Sequence, residues 1–220
     1  MIKRTFAALA LSCVLLGSTR SEAAFAISSF TPTNTGTAYG DYTFGYSFSL
    51  SQTVYVTSLS LFDSHGAGAL QDSHQLGIFA AGSNTNLVTR TLDSTSAVSS
   101  IGGQSFASVS LGASFVTLGP GTYNIGAFYA RNSADALVFS SNGLTTGGPE
   151  LAYNYNAYHS NGFAAPSNAG PPFGGYIGPD FTYQLTSPTV PEPSSIVLTS
   201  LGAAGLFVGR LARRKAKVVA

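Results

Sequence analysis

The stretch Tyr42-Thr43-Phe44-Gly45-Tyr46-Ser47-Phe48-Ser49-Leu50 decides the fold. Its large apolar residues occupy every second position, with Thr, Gly and Ser between them and Ser51 following. Side chains of a β-strand point alternately to opposite faces, so this period of two predicts a strand with one aromatic face and one small polar face. The same alternation returns in Tyr123, Ile125, Ala127 and Tyr129. Further strands are expected over 54–62, 75–80, 87–92, 106–111, 122–130, 136–140, 151–158 and 180–186. Gly82-Ser83-Asn84, Gly119-Pro120-Gly121 and Ser141-Asn142-Gly143 read as turns, because Gly and Asn accept positive φ. Residues 160–179, rich in Gly, Pro, Ser and Asn, read as one long loop. No helical periodicity precedes residue 195, so the body is expected to be an all-β antiparallel sandwich, jelly-roll-like or immunoglobulin-like, over 25–186.

Composition agrees with that class. Only 9% of the 220 residues are charged, against roughly 25% in an ordinary soluble domain. The basic residues are also unevenly placed. Lys3, Arg4 and Arg20 lie at one end and Arg210, Arg213, Arg214, Lys215 and Lys217 at the other, leaving Arg90 and Arg131 for the body. Against them stand Asp41, Asp63, Asp72, Asp93, Asp135, Glu150 and Asp180, so the body carries about −5. Nucleic-acid binding needs clustered Lys and Arg to displace phosphate counterions, and this body has no Lys. The single cysteine, Cys13, lies in the leader, which excludes disulfides, thiol nucleophiles and Cys-based metal sites from the mature chain.

The two ends read as addresses. Lys3 and Arg4 precede an apolar run, 6–17, followed by Ser21, Ala23, Ala24 and Ala26, the pattern of a secretory signal peptide over 1–24 that signal peptidase removes. Cleavage after Ala23, Ala24 or Ala26 satisfies the small-x-small requirement. A retained membrane helix would need a longer apolar core. Acylation at Cys13 would need an aliphatic residue where Ala10 stands.

At the far end, the prolines around Pro191-Glu192-Pro193 forbid helix and strand and hold the segment extended. Residues 196–209 are uncharged and mostly apolar, and a basic tail over 210–217 follows. A membrane helix over 194–212 is expected, somewhat short for a bilayer, with Arg210 reaching back to the interface. Gly202 and Gly205 share a face of that helix, as small residues do where membrane helices approach other proteins. Positive charge stays cytoplasmic, so the body would face outward.

Pro191-Glu192-Pro193, an apolar helix and Arg210-Leu211-Ala212-Arg213-Arg214-Lys215 together resemble the PEP-CTERM sorting domain of exported proteins in Gram-negative bacteria that make exopolysaccharide. The resemblance covers about 30 of the 220 residues, taken as 187–220. It implies that exosortase, a membrane-embedded cysteine transpeptidase-like enzyme, processes the chain near Pro191-Glu192-Pro193, and that the protein passes from an inner-membrane anchor to the cell surface or the medium. The body also resembles the β-sandwich of other such proteins through Leu61-Phe62-Asp63-Ser64-His65-Gly66-Ala67-Gly68 and Asp72-Ser73-His74-Gln75-Leu76-Gly77-Ile78.

Within the body, the densest polar cluster is the pair of Asp-Ser-His triplets, Asp63-Ser64-His65 and Asp72-Ser73-His74. Three readings stand. Asp63 and Asp72 could supply oxygens to calcium, the His and Asp pairs could suit a transition metal, or the Asp and Ser side chains could cap local backbone in a hairpin loop. Ser, His and Asp could spell a hydrolase, but no Gly-x-Ser-x-Gly elbow occurs and the abundant serines make coincidence the expectation. Seven scattered acids nominate no glycosidase pair, and no phosphate-binding glycine loop opens a helix. Tyr153, Tyr155 and Tyr158, interleaved with Asn154 and Asn156, could stack on and hydrogen-bond sugar rings, or could fill the core of a chain that has no Trp. The expectation is a non-enzymatic exported surface or matrix protein without a required cofactor. A carbohydrate-binding module with a calcium-supported loop is the alternative, and a secreted hydrolase the third reading.

Overall fold

The computed structural model describes residues 23–66, 70–170 and 175–188. The expected signal peptide up to residue 22, the motif Pro191-Glu192-Pro193, the expected membrane helix over 194–212 and the basic tail with Arg210, Arg213, Arg214 and Lys215 lie outside the described residues. Among the described residues, no helix is long and apolar enough to cross a membrane.

Among the described residues fourteen strands follow in order: β1 (Ala24–Phe25), β2 (Ile27–Gly36), β3 (Tyr42–Leu50), β4 (Val54–Phe62), β5 (His74–Ala80), β6 (Asn86–Leu92), β7 (Ala97–Ile101), β8 (Gln104–Ser110), β9 (Val116–Leu118), β10 (Gly121–Tyr129), β11 (Leu137–Thr146), β12 (Leu151–Ser160), β13 (Asn168–Ala169) and β14 (Pro179–Gln184). All pairings are antiparallel. One sheet runs β1-β14-β4-β8-β7, with β9 also on β4, and the other β13-β12-β3-β10-β5-β6. The strands β2 and β11 form a separate ribbon. The protein is therefore all-β, and its two curled antiparallel sheets are consistent with a β-sandwich.

The alternation of β3 explains the meeting of the sheets. Phe44, Tyr46, Phe48 and Leu50 are buried, and Phe48 packs on Phe181 of β14 with ring centroids 5.0 Å apart. Opposite β3, Ile125, Ala127 and Tyr129 of β10 bury on the same side, and Tyr123 stacks on Phe48 at 5.7 Å. Truncating Phe48 or Phe181 to Ala would cost about 3–5 kcal/mol, because each ring fills space between two sheets that cannot collapse on it.

The other face of β3 is covered as well, which the alternation did not foretell. Thr43 and Ser47 are buried. Gly45, Gly126 and Gly77 stand side by side on three neighbouring strands and open a trough across the outer face. The loop after β12 lies in it. A Cβ on Gly126 would come within 3.0 Å of Pro166, and one on Gly77 within 2.9 Å of Phe163. Thr43 Oγ1 fixes the loop, donating to Gly162 O at 2.8 Å and accepting from Ala164 N at 3.3 Å. The described part of the expected long loop nearest β12 is thus a packed cover, and the two-residue β13 follows within the same loop.

One local expectation is corrected, and one strand was not foreseen. Ser141-Asn142-Gly143 is no chain reversal; it lies inside β11, where the pairing with β2 shifts register between Asn142 and Thr145 and Gly143 takes φ +64°. A bulge uses the same left-handed glycine as a turn. The strand β2 itself had no period-two signal, since only Ile27 and Phe30 of its ten residues are buried. Its irregular ribbon also accommodates Pro32, which cannot donate to a ladder.

Candidate functional site

The loop joining β4 to β5 carries both Asp-Ser-His triplets, and the loop joining β10 to β11 closes on it. Asp135, in the second loop, is the hub. Its carboxylate accepts Gln71 N at 2.9 and 3.0 Å, Asp72 N at 2.8 Å and the His74 ring at 2.9 Å. Asp135 and His74 are both about 1% exposed. The other His74 nitrogen, Nδ1, lies 2.9 Å from Phe128 O. A carbonyl oxygen only accepts, so Nδ1 carries a proton and donates, and a second proton sits between Nε2 and Asp135. The imidazole is thus held at both nitrogens, and the Tyr129 ring packs on it at 4.5 Å.

The triplets' own aspartates act as caps. Asp63 Oδ1 accepts His65 N at 2.9 Å, closing an Asx turn, and Ser105 Oγ donates to its Oδ2 at 3.3 Å. Asp72 Oδ2 accepts Ser133 Oγ at 2.9 Å and Ala134 N at 2.7 Å. Those two hydrogen bonds stabilise the carboxylate and lower the Asp72 pKa. Ser64 Oγ takes Ala136 N at 3.1 Å. Apart from the Asx turn within the first loop, each of these bonds ties that loop to a neighbouring strand or to the second loop. Among the described residues no group of three or more His, Cys, Asp or Glu is placed to hold a metal ion. For Asp63 and Asp72 the geometry favours capping over the calcium ligation considered for them.

The arrangement also lacks the order of a hydrolytic triad, which needs Ser on one imidazole nitrogen and Asp on the other. His65 Nδ1 faces Ser64 at 3.5 Å, Asp63 at 3.8 Å and Asp135 at 3.4 Å, all on one nitrogen. His74 has a carbonyl and a carboxylate as partners, with no hydroxyl. No family model matches the chain. No curated protein and no solved structure matches it either.

The three strand tyrosines do not share a surface. Tyr153 pairs with Phe48, Tyr155 with Ser47 and Asn156 with Tyr46, so an extra residue is inserted at Asn154. This bulge flips the alternation. Tyr153 stacks toward Tyr46 at 5.6 Å and its hydroxyl bonds Asn156, which is buried. Tyr155 alone turns outward, 47% exposed, beside the Ser49–Asn154 pair. Tyr158 returns to the inner side and meets Tyr42 and Tyr176 with centroids at 6.4 and 6.2 Å. The structure therefore does not bring the three together: they divide between the core, the outer face and the end of the sheets.

Sequence reasoning missed Asp135, Ser133 and Phe128. The signal present was Asn132-Ser133-Ala134-Asp135, a short polar run between two expected strands, where Asn132 takes φ +60°. Nothing local told that its carboxylate would be buried 61 residues from His74.

Proposed function

We propose that this chain is a non-enzymatic exported protein of the cell surface or extracellular matrix, sorted and processed at its C-terminus by exosortase and associated with exopolysaccharide. The observation that carries the reading is the combination of Pro191-Glu192-Pro193, an apolar segment and a basic tail in a chain that also bears an N-terminal secretory signal. On this reading 194–212 is a transient inner-membrane helix, the tail from Arg210 stays cytoplasmic, and the body is released outward. A non-enzymatic body is supported by the way its densest His and Asp cluster is used: His74 Nε2 and the carboxylates of Asp72 and Asp135 tie the two loops together, His74 Nδ1 meets Phe128 O of β10, and Asp63 caps His65 N within its own loop. A jelly-roll-like sandwich is the finer fold reading, supported by β3 lying on β10 while β4 lies on β8 and β9.

The test is the intact mass of the protein isolated from its native host, with and without the host's exosortase. The expected result is a mature form lacking residues near both ends in the first strain, and a membrane-bound form retaining the C-terminal segment in the second. Equal mass and equal fractionation in both strains would overturn the proposal.

A further inference from the structure

At the end of the sheets where β3 begins, a cleft of about 300 Å³ opens between Tyr39, Tyr42, Phe139, Tyr158 and Tyr176, with Phe44 below. Four of these six rings are tyrosines, and among the described residues no charged side chain lines the cleft. Tyr39 is 84% exposed at its rim, a large aromatic held in water. Tyr176 takes φ +54°, a left-handed conformation that a bulky residue adopts only where its surroundings compel it. Its amide is anchored to Val138 O at 2.6 Å, and its ring lies 4.7 Å from Phe44. Glycines let the rings lie against backbone: a Cβ on Gly170 would stand 2.5 Å from the Tyr176 ring, and one on Gly40 2.7 Å from Tyr42. The walls are therefore set before any ligand arrives, apart from Tyr39. Burial, with the neighbouring phenols of Tyr158 and Tyr42, pushes the Tyr176 phenol up.

We propose that this cleft binds a neutral sugar ring, stacked on the tyrosine faces and hydrogen-bonded by their hydroxyls. Each feature selects for that chemistry. Aromatic faces take up the apolar C–H face of a pyranose, and phenols both donate and accept at its hydroxyl rim. A charged ligand would be stripped of water with no counter-charge to meet it. A purely apolar ligand would leave the phenol hydroxyls unused. The volume lies at the small end of ligand sites, enough for about one or two sugar rings.

The cleft also lies away from Gln184, where β14 ends. Along β3, Phe44 touches Tyr176 and Phe48 packs on Phe181, while beyond Leu50 Glu150 accepts the Tyr183 hydroxyl. So the chain reaches Gln184 at the opposite end of the sheets. This inference does not depend on the sorting reading, which can fail without it.

The experiment uses the full chain in mild detergent, titrated by calorimetry with cellohexaose, mannohexaose and maltohexaose. A hyaluronan hexasaccharide serves as the charged probe and a peptide of residues 187–196 as the proline-rich one. We expect at least one neutral hexasaccharide to bind with Kd below about 1 mM. Tyr39→Ala should weaken it about tenfold, the worth of one lost ring contact, with an unchanged melting temperature. Tyr176→Phe should weaken it while keeping the stack, and Tyr155→Ala, on the outer face, should leave it unaltered. Silence from all three neutral sugars would overturn the proposal. So would indifference to Tyr39→Ala, equal affinity for the charged sugar, or Tyr39-dependent binding of the peptide instead.

Discussion

The polar knot around Asp135 and the aromatic cleft around Tyr176 occupy the same end of the sheet pair and share a wall. Tyr129 packs on His74 at 4.5 Å on one side and meets Phe44, the floor of the cleft, at 6.1 Å on the other. In the knot, carboxylates and imidazole are matched with donors and acceptors supplied by the chain itself. In the cleft, aromatic faces and phenols are gathered without a charged partner, and one ring stands in water. Groups that satisfy one another hold loops in place, whereas groups set in order and left open are available to a ligand. The difference is tested by removing single groups from each.

The largest effect is expected at Asp135. Asp135→Ala would strand the His74 ring and the amides of Gln71 and Asp72 without their acceptor. Breaking a buried charged network of this kind costs about 3–5 kcal/mol, read by denaturant unfolding. A loss under about 1 kcal/mol would mean that the knot does not hold the loops.

Asp180 provides the opposite kind of buried carboxylate. It lies between the sheets and accepts Ile27 N at 3.1 Å, Phe181 N at 2.8 Å and Tyr46 OH at 3.3 Å, with no cation facing it. Burial pushes its pKa up to about 8. The unfolded chain ionises near 3.9 and the folded one only near 8, so folding stability is full below about pH 4 and falls as pH rises toward 8. Asp180→Asn should remove that slope, gaining on the native chain by a few kcal/mol between pH 4 and 8. An unchanged difference between the two across that range would show that Asp180 is solvated in the native state.

A smaller effect belongs to Asp72, at the exposed rim of the knot. Its pKa is lowered by the Ala134 and Ser133 bonds, so its contribution is present above about pH 4 and is lost as pH falls through the lower folded value. Asp72→Asn should cost about 1 kcal/mol at pH 7, discounted for solvent, and close to nothing in strong acid. Equal cost at both pH values would contradict the charged caps. The smallest stability change is expected in the cleft. Tyr39→Ala, at 84% exposure, should shift stability by less than about 0.5 kcal/mol while it weakens sugar binding. A large loss of stability there would place Tyr39 among the structural residues and erase the contrast with the knot.

The ease of reading from sequence follows the same physical division. The strands β3 and β10 were legible because each presents one face to a core, and that demand writes a period of two. The strand β2 was not, since it pairs in a two-stranded ribbon with shifting register and buries only Ile27 and Phe30. The triplets at 63–65 and 72–74 were visible as a cluster, but Asp135, which organises them, lies 61 residues past His74. The tyrosines of β12 were visible too. Their division among three environments rests on one inserted residue at Asn154, which no composition reveals.

By itself the sequence determined the all-β class of the body and the absence of Lys from it, because periodicity and charge are written over a few neighbouring residues. Only the tertiary structure decided that the small face of β3 is covered, that Asp63 and Asp72 cap backbone donors, and that Tyr158 joins Tyr42 and Tyr176 in a cleft. Those facts depend on which distant residues meet, and the chain sets those meetings through strand register and a single bulge.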